Sequence, residues 1–276
     1  MDARARVREF LRGGTADRPP VLAFTLDLAA RVASATRSEL LADPHLLSVS
    51  VRDAVELCGF DSAVLAPRAS ELPGLADRAR PDEVGCLAVC AEAISRLRIL
   101  LGDRAAITVL LPGPLTLLGQ ACAGAASPAQ ADAGRLEDAG TRLLGVAMFI
   151  GPPLLDGIGV WEEVAATDAA VLREPLTPLW NAAGFYSMPS LFVARTAAAG
   201  AGSVGASAVA AWDGTTAEAL AAAGATRVGM PILPPPAPQL SAVPRNSFLM
   251  TAGEVPAEAG IGWLQEITGH VMFRDG

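Results

Sequence analysis

The sequence contains no lysine; all 21 of its basic residues are arginine. Every mechanism that needs a lysine amine is thereby excluded. That removes Schiff-base aldolase and pyridoxal phosphate chemistry, and the phosphate-binding lysine of a P-loop NTPase or protein kinase. Arginine still binds anions, but as a fixed charge that does not act as a base. Other reactive types are scarce: two histidines (His45, His270), one tyrosine (Tyr186) and four cysteines (Cys58, Cys86, Cys90, Cys122). Four cysteines make no disulfide framework, so a reducing cytoplasm is the expected compartment. The N-terminus lacks the apolar h-region of a secretory signal, and Met1 reads as the true start. An excess of basic charge is also missing. The net charge is −8 and the arginines are dispersed, which excludes a nucleic-acid binder.

What is present is apolar: 51% of the 276 residues are hydrophobic against 18% charged, enough for a sizeable core. Residues 105–131 carry no charge and match a membrane span by hydropathy. Pro112-Gly113-Pro114 divides that run into a strand, a turn and a helix start, so no membrane partner is expected. Short β-like runs recur at Val21–Thr25, Ala63–Ala66, Ile107–Leu111, Gly157–Trp161, Ser190–Ala194, Ala208–Trp212, Arg227–Ile232 and Ser247–Thr251. They are continuous, not alternating, as parallel strands buried on both faces require. Helical patterns lie between them at Arg37–Cys58, opening after Thr36 with Glu39 in capping-box spacing, and at Asp82–Leu101, Ala129–Ile150, Thr167–Ala183, Thr216–Ala223 and Ala257–Thr268.

Eight alternating units without a composition break predict a single-domain (β/α)8 TIM barrel spanning 1–276, preceded by a short amphipathic helix. The rival is a doubly wound open sheet, but no G-x-G-x-x-G follows the first strand. The matching string at Gly200–Gly205 follows strand five, in Ala/Gly-rich sequence where such a match carries little weight.

In a barrel of this kind, function sits at the C-terminal strand ends. Those ends nominate Asp27; Arg68 and Glu71; Gly113-Pro-Leu-Thr116 with Gln120; Glu162 and Glu163; Arg195; Trp212 and Asp213; and Thr251–Glu254. Asp27, Glu163 and Asp213 are the candidate catalytic acids and bases. Arg68, Arg195, Thr116, Gln120 and Trp212 are the candidate substrate-binding groups. Two arginines among carboxylates suit a small anionic metabolite and shift the acids' proton affinities apart. The competing reading is that these charges are ordinary salt bridges tying loops together. Adjacent strand residues point to opposite sides, so only one of Glu162 and Glu163 faces the mouth: alternation with Trp161 gives Glu163, and a turn after the strand reverses this, which leaves the choice between the two open. Asp213 with one of these glutamates has Mg²⁺ chemistry, but no ligand spacing requires it, and neither metal nor cofactor is expected. Cys86 and Cys90 read as buried small side chains, His45 as a surface or capping residue, and His270 as following a C-cap at Gly269. No Ser-His-Asp or Cys-His pair stands at the strand ends, so a nucleophilic hydrolase is not expected.

The runs Arg18–Arg31 (RPPVLAFTLDLAAR), Glu39–Pro44 (ELLADP), Cys58–Val64 (CGFDSAV), Gly113–Gln120 (GPLTLLGQ) and Thr251–Pro256 (TAGEVP) resemble the uroporphyrinogen decarboxylase superfamily, and its corrinoid and coenzyme M methyltransferase branch most. The Gly-Pro-Leu-Thr block is the most specific piece; the likeness is thin between residues 125 and 245. The resemblance implies a barrel, usually a homodimer, with its site in the mouth. Its catalytic residues do not carry over. The branch's zinc ligands, a His-x-Cys after strand five and a Cys after strand eight, fall on Val193, Arg195 and Gly253. The decarboxylases' arginine block, Asp, Tyr and His fall on Phe24–Arg31 with its single arginine, on Arg68, on Gln120 and on Ala252 or Gly253. Three readings follow: metal-independent acid–base chemistry of the decarboxylase or lyase type on a small anion; alkyl transfer with a corrinoid protein or thiol partner; and a non-catalytic binding or scaffold subunit.

Overall fold

The computed structural model describes residues 1–75, 80–121, 133–163, 169–195, 204–211, 227–232, 243–254 and 261–270. Eight parallel strands close into a barrel in sequence order: β1 (Val21–Phe24), β2 (Ser62–Leu65), β3 (Ala106–Pro112), β4 (Gly157–Glu162), β5 (Ser190–Ala194), β6 (Ala208–Ala211), β7 (Val228–Ile232) and β8 (Ser247–Glu254), with β8 pairing back onto β1. Each of the eight lies on one of the continuous apolar runs of the sequence. The (β/α)8 expectation holds.

Helices form where local signals and an apolar face coincide. Asp2 caps α1 (Ala3–Leu11) by accepting from the Ala5 amide at 2.7 Å. The Thr36/Glu39 capping box opens α3 (Arg37–Leu40). The expected continuous helix Arg37–Cys58 is in fact two, because Pro44 forces Asp43 into extended backbone. Asp43 then caps α4 (Pro44–Cys58), accepting from His45 and Leu46 at 2.8 and 3.1 Å, and the helix stops at Gly59, whose φ of 70° favours glycine. The sequence pattern did not reveal α2 (Leu26–Val32), a short helix directly behind β1. Further on come α5 (Gly85–Leu101), α6 (Pro114–Ala121), α7 (Ala133–Ile150), α8 (Arg173–Phe185) and α9 (Ile261–His270). The last runs through Gly269 to His270, so Gly269 is not its C-cap. The expected helix Thr216–Ala223 lies outside the described residues.

The uncharged run 105–131 becomes β3, a turn at Gly113 and α6 as far as it is described. Among the described residues no helix is long and apolar enough to cross a membrane.

Two apolar layers hold the barrel. One lies between strands and helices. The other fills the interior: Leu22 and Phe24 of β1, Leu110, Trp161, Val193, Phe248 and Met250 stack with Val7, Phe10 and Leu11 of α1, which plugs the N-terminal end. Phe24 meets Trp161 edge-on, ring centroids 6.3 Å apart at 82°. Beneath the plug, two buried aspartates anchor α1. Asp61 accepts from Arg6 at 2.5 Å, from Arg18 at 2.8 and 2.9 Å, and from the Val21 amide at 2.9 Å. Asp156 accepts from Arg4 at 2.8 Å, from Arg98 and from the Ile107 amide at 3.0 Å.

Candidate active site at the barrel mouth

The C-terminal strand ends bring part of the nominated set together. Asp27, in the first turn of α2, accepts from Arg68 at 2.6 Å and from Arg37 at 3.0 Å. Arg37 also holds Glu71 and donates to the Ala66 carbonyl at 2.7 Å. Glu71 accepts from the Arg68 backbone amide at 2.7 Å. The loops after β1 and β2 are thus joined by two arginines and two carboxylates that alternate in sign. Arg37 was not among the expected site residues, because it sits on a helix instead of a strand end. Arg68 is the exposed member, its side chain 45% accessible against 10% for Arg37.

A second cluster spans β3, α6 and β4. Glu162 is buried, and its carboxylate sits on the N-terminus of α6. It accepts from the Leu115 amide at 3.0 Å, the Thr116 amide at 2.9 Å and the Thr116 hydroxyl at 2.6 Å. Gly113 is required here: a Cβ would overlap the carboxylate. Burial pushes the Glu162 pKa up to about 7, with Glu163 adding to the rise while the Thr116 and Leu115 donors oppose it. Thr116, nominated for substrate, uses its hydroxyl within this cluster, also accepting from the Glu163 amide at 2.9 Å. Of the two adjacent glutamates, Glu162 is enclosed and Glu163 is exposed.

The remaining nominees are more scattered. Arg195 is exposed after β5, three strands round from β2, and its amide donates to the Glu162 carbonyl at 2.9 Å. Gln120 lies near the end of α6. Trp212 and Asp213 lie outside the described residues.

The zinc implied by the resemblance does not fit the residues that occupy its positions. Val193 is a buried hydrocarbon, Arg195 a cation and Gly253 has no side chain. Among the described residues no group of three or more His, Cys, Asp or Glu is placed to hold a metal. Nor is there an activated thiol among them: burial pushes Cys58 and Cys86 up to about 11 and Cys90 up to about 12. Cys86 donates to the Glu71 carbonyl, which places this helix behind the ion-pair cluster as packing.

No protein-family model and no curated protein matches the chain. Solved structures do. A methyltransferase from Methanosarcina mazei superposes with a TM-score of 0.72 at 14% identity, covering 98% of this chain and 98% of that one. A chain from Labrenzia alexandrii DFL-11 assigned to the mandelate racemase/muconate lactonizing enzymes reaches a TM-score of 0.42 at 13% identity, over 80% of this chain and 49% of that one. The likeness to the methyltransferase is one of fold: the same barrel along essentially the whole of both chains.

Proposed function

We propose that this barrel is a diverged relative of the uroporphyrinogen decarboxylases and their methyltransferase branch. It binds a small carboxylate or phosphate metabolite in its mouth and carries out decarboxylase- or lyase-type acid–base chemistry without a resident metal. The observation that carries this reading is the Arg68–Asp27 pair. It stands at the C-terminal ends of β2 and β1, where barrel enzymes place their chemistry. Its bond engages one terminal nitrogen of a guanidinium that is nearly half exposed. Such a pair contributes under about 1 kcal/mol to stability, so holding the loops together is a weak reason for it. A guanidinium that is 45% accessible and bonded through one nitrogen keeps donors for a planar anion. An arriving carboxylate or phosphate takes Arg68 from Asp27, which keeps its bond to Arg37. Arg195 supplies the second cation, and a carboxylate among Asp27, Glu163 and Asp213 moves the proton. The resemblance implies arginines after strand one and an acid after strand two. This chain has the acid, Asp27, after the first and the arginine, Arg68, after the second. A homodimer in the cytoplasm belongs to the same proposal.

The test is turnover of a panel of small carboxylates, followed by release of carbon dioxide, for the wild type and for Arg68→Ala and Arg195→Ala. Both variants are expected to lose at least tenfold in kcat/KM, the loss of one charged hydrogen bond. Unchanged binding and turnover in both overturns the assignment.

The full-length superposition on a methyltransferase supports a second reading, alkyl transfer with a corrinoid protein or thiol partner. Stoichiometric zinc in purified protein, with methyl transfer from a methylated corrinoid protein, would favour it over the first.

A further inference from the structure

Glu162 is neither a candidate catalytic group nor a candidate substrate-binding group, yet three hydrogen bonds connect it to Thr116 and Arg195. Its carboxylate holds the Leu115 and Thr116 amides and the Thr116 hydroxyl. The same Thr116 oxygen accepts from the Glu163 amide, and the Glu162 carbonyl accepts from the Arg195 amide. The Trp161 carbonyl accepts from the Gly113 amide at 2.8 Å, closing the unit on its β3 side. We infer that Glu162 is a positioning residue: seated on the first turn of α6, it sets where the backbones of Glu163 and Arg195 stand at the mouth. This deepens the proposed function, because it takes Glu163 and Arg195 as members of the site.

Three features support the inference over a merely buried acid. First, the Gly113-Pro114-Leu115-Thr116 sequence is shaped to the carboxylate: glycine leaves room for it, proline starts the helix without an amide of its own, and the next two residues supply three donors. Second, a hydrocarbon side chain would pack in this space without the cost of burying a charge, so the acid is explained by what it orders. Third, its surroundings leave it chemically poised. The segments β3 (AITVLLP), α6 (PLTLLGQA) and β5 (SLFVA) contain no ionisable side chain. The elements packed on α6 carry Glu71, on the turn Ala69–Glu71, and Arg135, Glu137, Asp138 and Arg142, on α7. Among the described residues, Glu163 is the charge that acts on the carboxyl. When Glu162 is protonated, the 2.6 Å contact to Thr116 runs the other way, with Glu162 donating, and the threonine hydroxyl proton turns elsewhere. The protonation state of Glu162 therefore reaches the Glu163 amide through one shared oxygen.

Residue-resolved amide exchange tests this without any ligand. The amides of Leu115, Thr116, Glu163 and Arg195 are compared in wild type, Glu162→Gln, Thr116→Val and Thr116→Ser. In Glu162→Gln the first three are expected to exchange roughly tenfold faster, as on losing a hydrogen bond to a charged group, and Arg195, bonded to the Glu162 carbonyl, to exchange faster by a smaller factor. Amides of β1 and β2 keep their rates. Thr116→Val loosens Glu163 selectively, and Thr116→Ser restores it. In wild type, Glu163 protection also changes between pH 5 and 8 beyond the intrinsic exchange rate, and in Glu162→Gln it does not. Acceleration spread evenly over all strands, or no change at Glu163 in Thr116→Val, overturns the inference. If the four amides respond as stated while no anion binds the wild type, the positioning role stands and the proposed function fails.

Discussion

The two ends of the barrel spend the same residue types differently. At the N-terminal end, Asp61 and Asp156 have side chains only 1% and 0% accessible, each gripped by several arginines and by the amide of a strand residue. Arg6 and Arg18 hold the first and Arg4 and Arg98 the second, and the result is an anchor for the plug helix α1. At the C-terminal end the pairs are looser: Arg68 and Asp27 are 45% and 27% accessible, and Arg195 and Glu163 are exposed. Burial separates the two roles. A carboxylate enclosed by arginines holds the fold together, whereas one that shares a half-exposed arginine can exchange it for a ligand.

The largest break in this comparison comes from the lower end. Asp61→Ala takes the buried acceptor away from Arg18, from the Val21 amide and from one side of Arg6, which keeps Asp17, and is expected to destabilise the protein by about 3–5 kcal/mol in urea unfolding. Next is Gly113→Ala, which forces a methyl group into the Glu162 carboxylate and costs roughly 1–3 kcal/mol. Arg68→Ala should change stability by less than about 1 kcal/mol. A loss on the scale of Asp61→Ala would make the Arg68 pair structural and erase the contrast.

The pH dependence separates the ends by sign. Arg6 holds the Asp17 carboxyl well below the ordinary carboxylate range. Its stabilisation is present above the unfolded value near 3.8 and is lost as pH falls. Glu162 is shifted upward, from 4.5 to about 7. Its stabilisation is complete below 4.5 and is lost as pH rises through 7. Unfolding free energies measured from pH 3 to 8 should therefore fall at both extremes. Glu162→Gln should remove the decline between about pH 5 and 7 and leave the acid limb; a decline that persists in that variant assigns it to another group.

The fold was legible because its signals are local. Each strand is a continuous apolar run, and turn chemistry marks the breaks. The misjudged elements are those where a tertiary contact or a single proline decides, as at Asp43-Pro44 between α3 and α4 and in the short α2. The site was legible by position but not by partner. Strand-end reasoning finds Asp27 and Arg68, 41 residues apart, yet cannot show that they touch or that Arg37 completes their cluster. Likewise Gly113-Pro-Leu-Thr116 stands out as a motif, while its purpose depends on an acid 46 residues further on, brought to it by the pairing of β3 with β4.

The central claim is that the mouth binds a small anion through Arg68 and Arg195. Calorimetric titration of the wild type, Arg68→Ala and Arg195→Ala with succinate, citrate and inorganic phosphate tests it most directly. Saturable one-site binding to the wild type by at least one of these anions, weakened tenfold or more in both variants, is the predicted result. Binding of equal strength in all three proteins, or in none, contradicts it.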